Sequence, residues 1–385
     1  MRILKQGMRG SEVALVQTRL IKWGYKLDPI DGIFGRITLD AVIQFQNTHR
    51  LKPDGIVGPV TYNELQKNIV ENQIPPTARR GTVAGWIPYW LQNEALAVIQ
   101  KNADVFTTLS PFWYELTSEG DLIVFPNAED TTILRFAKNY GMAVIPLIAN
   151  SYNSQPVSTV LNDPALRQKH IQTIVKTVFR MGYDGIEIDY ENLFVTDKEI
   201  FVRFLRELKA ALGMNKKVVA TLMAKTKSLS NTSGATAHDY YGIGQVVDTV
   251  RIMTYDYSWI TPGPIAPADW VKQVLTYAVT LIPREKLEVG LPTYGYDWET
   301  RKTSVSYQVA INTADMYSAQ IMEDLQNGPH YTYTDTIGNP HEVWFTNSLN
   351  FKTLVDIAQQ LNLRGIALWH PGNDDPKIYD VIRNS

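Results

Sequence analysis

Eight short apolar runs, most of them separated by helix-forming segments, constrain this chain more than any other feature. They are TVAGWIPYW (82 to 90), VFTTLSPFWY (105 to 114), MAVIPLIA (142 to 149), GIEIDYE (185 to 191), KVVATLMA (217 to 224), DTVRIMTYD (248 to 256), KLEVGLPTY (286 to 294) and GIALW (365 to 369). One intervening helix is explicit. In TDKEIFVRFLRELKAALG, Thr196 and Glu199 form a capping box, Phe201, Phe204, Leu205 and Leu208 repeat at helical spacing, and Gly213 stops it. Eight strands in strand–helix alternation over about 300 residues predict an α/β fold, a (β/α)8 TIM barrel, with a doubly wound open sheet as the alternative.

The last connection is longer, over 300 to 347. It is expected as an insertion between strands seven and eight, with a helix in NTADMYSAQIMEDLQ and a hairpin in HYTYTDTIGNPHEVWFT turning near Gly338, Asn339 and Pro340. Loops at this end of a barrel build the groove, so the insertion is expected to form one wall, with Trp344 either packed inside the hairpin, the favoured reading, or in contact with substrate.

Residues 1–68 follow another pattern. DGIFGRIT at 31 to 38 returns as DGIVGPVT at 54 to 61. Each Asp-Gly is turn chemistry, and Pro59 suits the first turn of a helix. With the helix SEVALVQTRLIKWG, this predicts three short helices around Val13, Val16, Leu20, Val42, Phe45 and Leu65. GSEVALVQTRL, DGIFGRITLDAVIQFQ and DGIVGPVTYNEL together resemble the type 1 peptidoglycan-binding domain. Residues 69–80, IVENQIPPTARR, read as a linker with a Pro-Pro pair, and the barrel is expected over 81–385.

The fourth apolar run is unusual. Side chains alternate along a strand, so Ile186, Ile188 and Tyr190 point one way and Glu187, Asp189 and Glu191 the other, neighbours about 6 to 7 Å apart, with Asp184 just before them. A half-exposed edge strand would simply solvate such a row. Flanked by helices in a parallel sheet, however, the strand is covered on both faces. Inside a barrel the row points inward near the C-terminal mouth, where active sites of this fold lie.

Aromatic residues gather at the same end. Of nine tryptophans, Trp86, Trp90, Trp113, Trp259, Trp298 and Trp369 lie at or just past strand ends, with Tyr89, Tyr114, Tyr255, Tyr257, Tyr294 and Tyr296. Aromatic faces at a barrel mouth suit stacking on sugar rings, although a single one would be ordinary packing.

Clustered carboxylates raise one another's proton affinity, and desolvation acts in the same sense. One acid can then stay protonated near neutral pH, as a general acid for glycosidic cleavage requires. DGIEIDYE at 184 to 191 resembles the D-G-x-D-x-D-x-E signature of glycoside hydrolase family 18, the chitinase family. MTYD at 253 to 256 resembles its M-x-Y-D motif.

The resemblance implies hydrolysis in which the substrate's own acetamido oxygen attacks the anomeric carbon. It implies Glu191 as general acid and then base, Asp189 orienting the acetamido group, and Asp184 supporting the row. Tyr255 would hydrogen-bond the acetamido carbonyl, Met253 and Asp256 would lie against the sugars, and Trp369 would floor the cleavage subsite. Glu187 stands where the family has Asp, and VIPLIANSYN lacks the S-x-G-G common in chitinases. Trp86, Tyr89, Trp113, Trp259 and Tyr294 complete the expected glycan contacts. Arg251 shares parity with Met253 and Tyr255, and is either a counter-ion for the acidic row or a strand-start arginine reaching solvent.

The totals narrow the partners. With 37 basic and 39 acidic residues, nothing favours nucleic acid or anionic lipid. No apolar run reaches membrane-spanning length, and the absence of cysteine excludes disulfides and thiolate metal sites. No histidine spacing or phosphate loop implies a metal or cofactor, and His370 is expected at the rim.

Together the two domains resemble the spore cortex-lytic N-acetylglucosaminidases of spore-forming bacteria. The expected partner is peptidoglycan or another GlcNAc-containing glycan, the expected location the spore or cell wall, and the expected state a monomer. MRILKQGMRG shows no secretory signal. A chitinase and a catalytically silent glycan lectin remain the alternatives.

Overall fold

A computed structural model describes residues 3–22, 25, 27, 30–49, 51–66, 81–227, 234–299, 301–372 and 374–385. The chain divides into two compact units, Met1–Thr77 and Ala78–Ser385. The expected linker at 69–80 lies outside the described residues.

The first unit has helices at Ser11–Lys22, Arg36–Thr48 and Pro59–Gln66. Val13, Val16, Leu20, Val42, Phe45 and Leu65 are buried in its core, joined by Leu4, Phe34 and Val57. The internal echo has a physical basis that the turn residues alone do not reveal. Gln17, 2% exposed, donates to the Asp31 carboxylate (2.8 Å), the Ile33 carbonyl (3.1 Å) and the Thr38 hydroxyl (3.1 Å), and accepts from the Gly32 amide (2.9 Å). Gln46 repeats this on the second loop, with Asp54 (3.1 Å), Ile56 (3.0 Å), Thr61 (3.1 Å) and Gly55 (2.9 Å). A buried amide thus holds each Asp-Gly loop against the helix before it, leaving no part of that amide unpaired.

The second unit is a closed barrel of eight parallel strands: Thr82–Pro88, Thr108–Leu116, Ala143–Val144 continued by Leu147–Ala149, Gly185–Asp189, Lys217–Met223, Thr249–Met253, Leu287–Pro292 and Gly365–Trp369. Each pairs with its sequence neighbours, and the first closes the ring by pairing with both the second and the eighth. Seven lie within the apolar runs read from the sequence, and the second, read over 105 to 114, continues two residues further to Leu116. Gly185 opens the fourth strand because a Cβ there would stand 2.2 Å from the Lys217 carbonyl oxygen.

Faces alternate as the period of two requires. Ile186, Ile188 and Tyr190 join the layer between sheet and helices, whereas Ala84, Trp86, Leu147, Ala149 and Ala367 fill the barrel interior. Packing of this kind leaves a solid core in which an inward charge must find its own partner.

Local details depart from expectation. The helix after the fourth strand is Lys198–Leu212, entered through a 3-10 turn at Val195–Asp197, so Thr196 is not its cap. Its end at Gly213, in the left-handed φ range at 75°, is as read.

In the insertion the helix is Tyr307–Met316, capped by the Ser306 hydroxyl accepting from the Val309 amide (3.2 Å). The helix stops at Met316 because Ser318 takes a left-handed φ of 50° and the Ala319 amide returns to the Ala314 carbonyl (2.8 Å); further on, Asp324 makes a separate turn, accepting from the Gln326 and Asn327 amides. The hairpin forms as expected at His330–Thr334 and Pro340–Phe345, but two strands at Gly295–Trp298 and Lys302–Val305 extend it to a four-stranded antiparallel sheet. The inserted sheet therefore starts at 295, before the expected 300. Trp344 stacks on His330 (centroids 4.0 Å apart) and donates its indole N–H to Glu342 (2.6 Å), packing within the sheet.

Candidate active site

The acidic row lies inside the barrel, and its three members have different surroundings. Glu187 is fully buried. Its Oε1 accepts from the Trp86 indole (2.8 Å) and the Thr221 hydroxyl (2.5 Å), and its Oε2 from the Arg251 guanidinium (2.5 Å). Arg251, 1% exposed, reaches inward from the sixth strand and also donates to Ser110 (2.6 Å) and Glu288 (2.8 Å). Of its two sequence readings, the counter-ion is the one realised.

Asp189 is one step nearer the mouth. Its Oδ1 is buried with no hydrogen-bond partner. Desolvation, then the charges of Glu191 and Glu187, raise its pKa well above the usual carboxylate value.

Glu191 follows the end of the strand. Loss of solvent around its carboxyl, with the charge of Asp256 acting in the same direction, pushes it up to about 7. Its backbone is held by Asn150, 3% exposed, which accepts from the Glu191 amide (2.8 Å) and donates to the Glu191 carbonyl (2.9 Å).

The residue between them is anchored from the other side. The Tyr190 hydroxyl bonds to His170 (2.7 Å), and its carbonyl accepts from His238 Nε2 (2.9 Å). Because the Met223 amide donates to His238 Nδ1 (3.0 Å), that ring is the Nε2–H tautomer, and burial keeps it neutral with a pKa lowered to about 4.

Around the row, Asp256 has φ 56° and accepts hydroxyl hydrogen bonds from Tyr294 and from Tyr296 (2.7 Å). Tyr255 is raised well above its ordinary value by burial and by Asp189, Glu191 and Asp256, which puts its hydroxyl in the field of all three. Trp369, half-buried at the end of the eighth strand, packs against Trp86 and Trp90 (centroids 6.1 and 6.4 Å). Met253 is half-buried at the end of the sixth strand. Tyr89 stacks on Phe125 (4.3 Å), and Trp259 is exposed beneath the Lys302 ammonium.

Three sequence-selected residues sit elsewhere or act otherwise. Asp184 is exposed at the N-terminal start of the fourth strand, where its carboxylate accepts from the Val144 amide (2.8 Å); it ties two strands together at the end opposite the mouth. Trp113 is fully buried in the layer outside the barrel and donates to Gln92 (2.8 Å). Ordinary alternation from the inward-facing Ser110 and Phe112 turns Trp113 away from the site, and the register shift between Phe112 and Tyr114 against the third strand sends Tyr114 outward as well. Trp86 does face inward, but at 1% exposure it supports Glu187 and offers no open face to a sugar.

Two further residues border the row without a motif to mark them, Asn150 and Tyr152, whose hydroxyl pKa is raised by burial and by the charges of Glu191, Asp189 and Asp256; Tyr296 belongs to the strand-end aromatic set. The only sequence signal for Asn150 and Tyr152 is their place just past the third strand. Among the described residues no cluster of His, Asp and Glu is arranged to hold a metal, and no helix is long and apolar enough to cross a membrane. The arrangement can deliver a proton from Glu191 while Asp189 offers an uncommitted oxygen beside it.

The chain is similar to known proteins in both of its units. Residues 90–374 match the model for glycosyl hydrolases family 18, and residues 9–65 that for the peptidoglycan binding domain. The cortical fragment-lytic enzyme of Bacillus cereus is 32% identical over 288 residues, covering 72% of this chain and 67% of that protein. That of Bacillus subtilis is 31% identical over 303 residues, covering 75% and 70%. The crystal structure of the Bacillus megaterium spore cortex-lytic enzyme SleL superposes with a TM-score of 0.73 at 28% identity, covering 79% of this chain and 73% of that one.

Proposed function

The chain belongs to glycosyl hydrolase family 18, and from that premise we propose that it is a β-N-acetylglucosaminidase of peptidoglycan, acting on spore cortex by substrate-assisted catalysis with retention of configuration. The observation that carries the mechanism is the pairing of Glu191, held near neutral proton affinity, with Asp189, whose buried Oδ1 has no partner.

In this reading Glu191 protonates the glycosidic oxygen as the acetamido carbonyl oxygen attacks C1 and the bond to the leaving sugar breaks. Asp189 accepts the acetamido N–H and balances the positive charge of the resulting oxazolinium. The Tyr255 hydroxyl donates to the attacking oxygen's carbonyl before bond formation and keeps it aimed at C1. Glu191, now a carboxylate, takes a proton from water, which opens the ring at C1 on the original face. Trp369 floors the reacting sugar, and Tyr294 and Tyr296 hold Asp256 where its charge keeps Glu191 protonated.

The substrate requirement follows from the chemistry. The sugar at the cleavage point must carry a free acetamido group, which GlcNAc does and muramic δ-lactam does not, since its nitrogen is tied into a ring. Wall glycan is favoured over chitin by the N-terminal module and by the cortex-lytic relatives. The spore or cell wall is the corresponding location.

The test is mass spectrometry of products from spore cortex, vegetative sacculi and chitin, with borohydride labelling of new reducing ends. New GlcNAc ends from cortex are expected. Products from chitin alone would make the protein a chitinase, and binding without product would make it a lectin.

A further inference from the structure

Glu187 and Asp189 share one face of one strand, yet the structure treats them differently. Glu187 has donors on both oxygens. Two of the three, the Trp86 indole and the Arg251 guanidinium, have no lone pair to accept with, so they suit a carboxylate and not a carboxylic acid. Thr221 supplies the third and Ser110 sits on Arg251.

The charges beneath also balance. Arg251 lies between Glu187 and Glu288, and Glu288 in turn accepts from Arg364 (3.3 Å) and Thr82 (2.6 Å), giving two carboxylates to two guanidiniums. Asp189 has no such donor on Oδ1, and the charges facing it are those of Glu191 and Glu187, while Asp256, past the sixth strand, acts on Glu191.

We propose that Arg251 withholds Glu187 from proton exchange in the active site, so that the one mobile proton of the acidic row is confined to Asp189 and Glu191. Resting on the glycosidase reading above, this makes Arg251 a positioning residue that acts on the reaction through its charge and its hydrogen bond to Glu187. The proton moves from the pair to the leaving oxygen through Glu191 and returns from water, while Glu187 keeps its negative charge throughout. The longer glutamate at this position reaches the guanidinium instead of its neighbour.

The experiment is the pH dependence of kcat/KM for the full chain, wild type, Glu187→Gln, Arg251→Met and the double variant, on wall glycan. Alongside it, carbon-13 NMR follows the carboxyl carbons of protein labelled in Asp and Glu. Glu187→Gln removes a negative charge beside Asp189 and leaves Arg251 in excess, so the alkaline limb moves to lower pH by about one unit, a roughly tenfold loss at a fixed pH on that limb.

Arg251→Met removes a positive charge beside the row, so the alkaline limb moves to higher pH by about one unit, and the double variant returns the limb to its wild-type position. A merely structural arginine would change stability and leave the limbs where they are. Limbs unmoved in Glu187→Gln, or a wild-type Glu187 that titrates together with Asp189, would overturn the proposal. If Arg251→Met does not fold, Glu187→Gln and the double variant, which leaves no charge uncompensated at either position, decide it. Failure of the wild type to cut any glycan would remove the glycosidase reading, yet the carboxyl titration would still decide where the proton resides.

Discussion

Both units bury polar side chains, and they do so to opposite ends. In the N-terminal unit Gln17 and Gln46 are neutral amides whose hydrogen bonds are all made to the adjoining loop and the first turn of the next helix. In the barrel, Glu187, Arg251 and Glu288 are a charged network, and beside it Asp189 keeps a buried oxygen with nothing to bond. A satisfied neutral network specifies a shape, whereas a charged one that ends in an unpaired carboxyl oxygen raises a proton affinity and leaves a place for a ligand. In the proposed reading this difference is what sets the barrel interior apart as the reactive region.

If this contrast holds, removing a group from the barrel network should harm chemistry, and removing one from the amide network should harm folding alone. Glu191→Gln is the largest case: turnover of cortex glycan should fall by about a thousandfold, within the range of general acid catalysis, while binding of the glycan persists. Equal turnover by that variant would end the proposed mechanism.

The same variant carries a stability signature. A pKa of about 7 for Glu191, raised from an ordinary 4.5, means the folded protein binds this proton more tightly than the unfolded chain. That stabilisation is complete below pH 4.5 and is lost as pH rises to about 7. Thermal unfolding of wild type relative to Glu191→Gln should therefore show a loss of roughly 3 kcal/mol across that window; parallel curves would contradict it.

In the amide network, Gln46→Ala would strand the Gly55 amide, the Ile56 carbonyl and the Thr61 hydroxyl. Loss of about 2 kcal/mol from the N-terminal unit is expected in calorimetry, with hydrolysis of soluble fragments unchanged. A fall in that hydrolysis would erase the distinction between the regions.

The smallest effect is expected where the two kinds of bonding meet. Asn150 is a neutral amide serving the reactive region, since it holds the Glu191 backbone at both N–H and C=O. Asn150→Ala should lower kcat by about tenfold with KM little changed, because a misplaced acid affects the transition state more than binding. A change confined to KM would reassign Asn150 to substrate contact.

Much of this was legible in the residues. Periodicity gave eight strands and an inward acidic row because it is local: alternation along a strand depends on the backbone alone. The echo 31–38 and 54–61 likewise revealed two equivalent loops, though not the glutamines that hold them, which lie 15 and 9 residues before the glycines they cap. Local reading failed where the backbone left its regular course, at the register shift that turns Tyr114 out of the barrel and at the helix end marked by Ser318.

What the sequence by itself determined, then, was the set of side chains directed into the barrel and the chemistry they are able to do. Which of them meet was decided by the tertiary structure. Glu187 finds Trp86 101 residues away and Arg251 64 residues away, and Glu191 is fixed by Asn150 across 41. Those contacts depend on the stagger between strands and on closure of the ring, which pattern does not encode. They separate three chemically similar acids into one tied to a guanidinium, one left unpaired and one poised near neutral pH, because proton affinity is set by the charges and donors that surround a group in space.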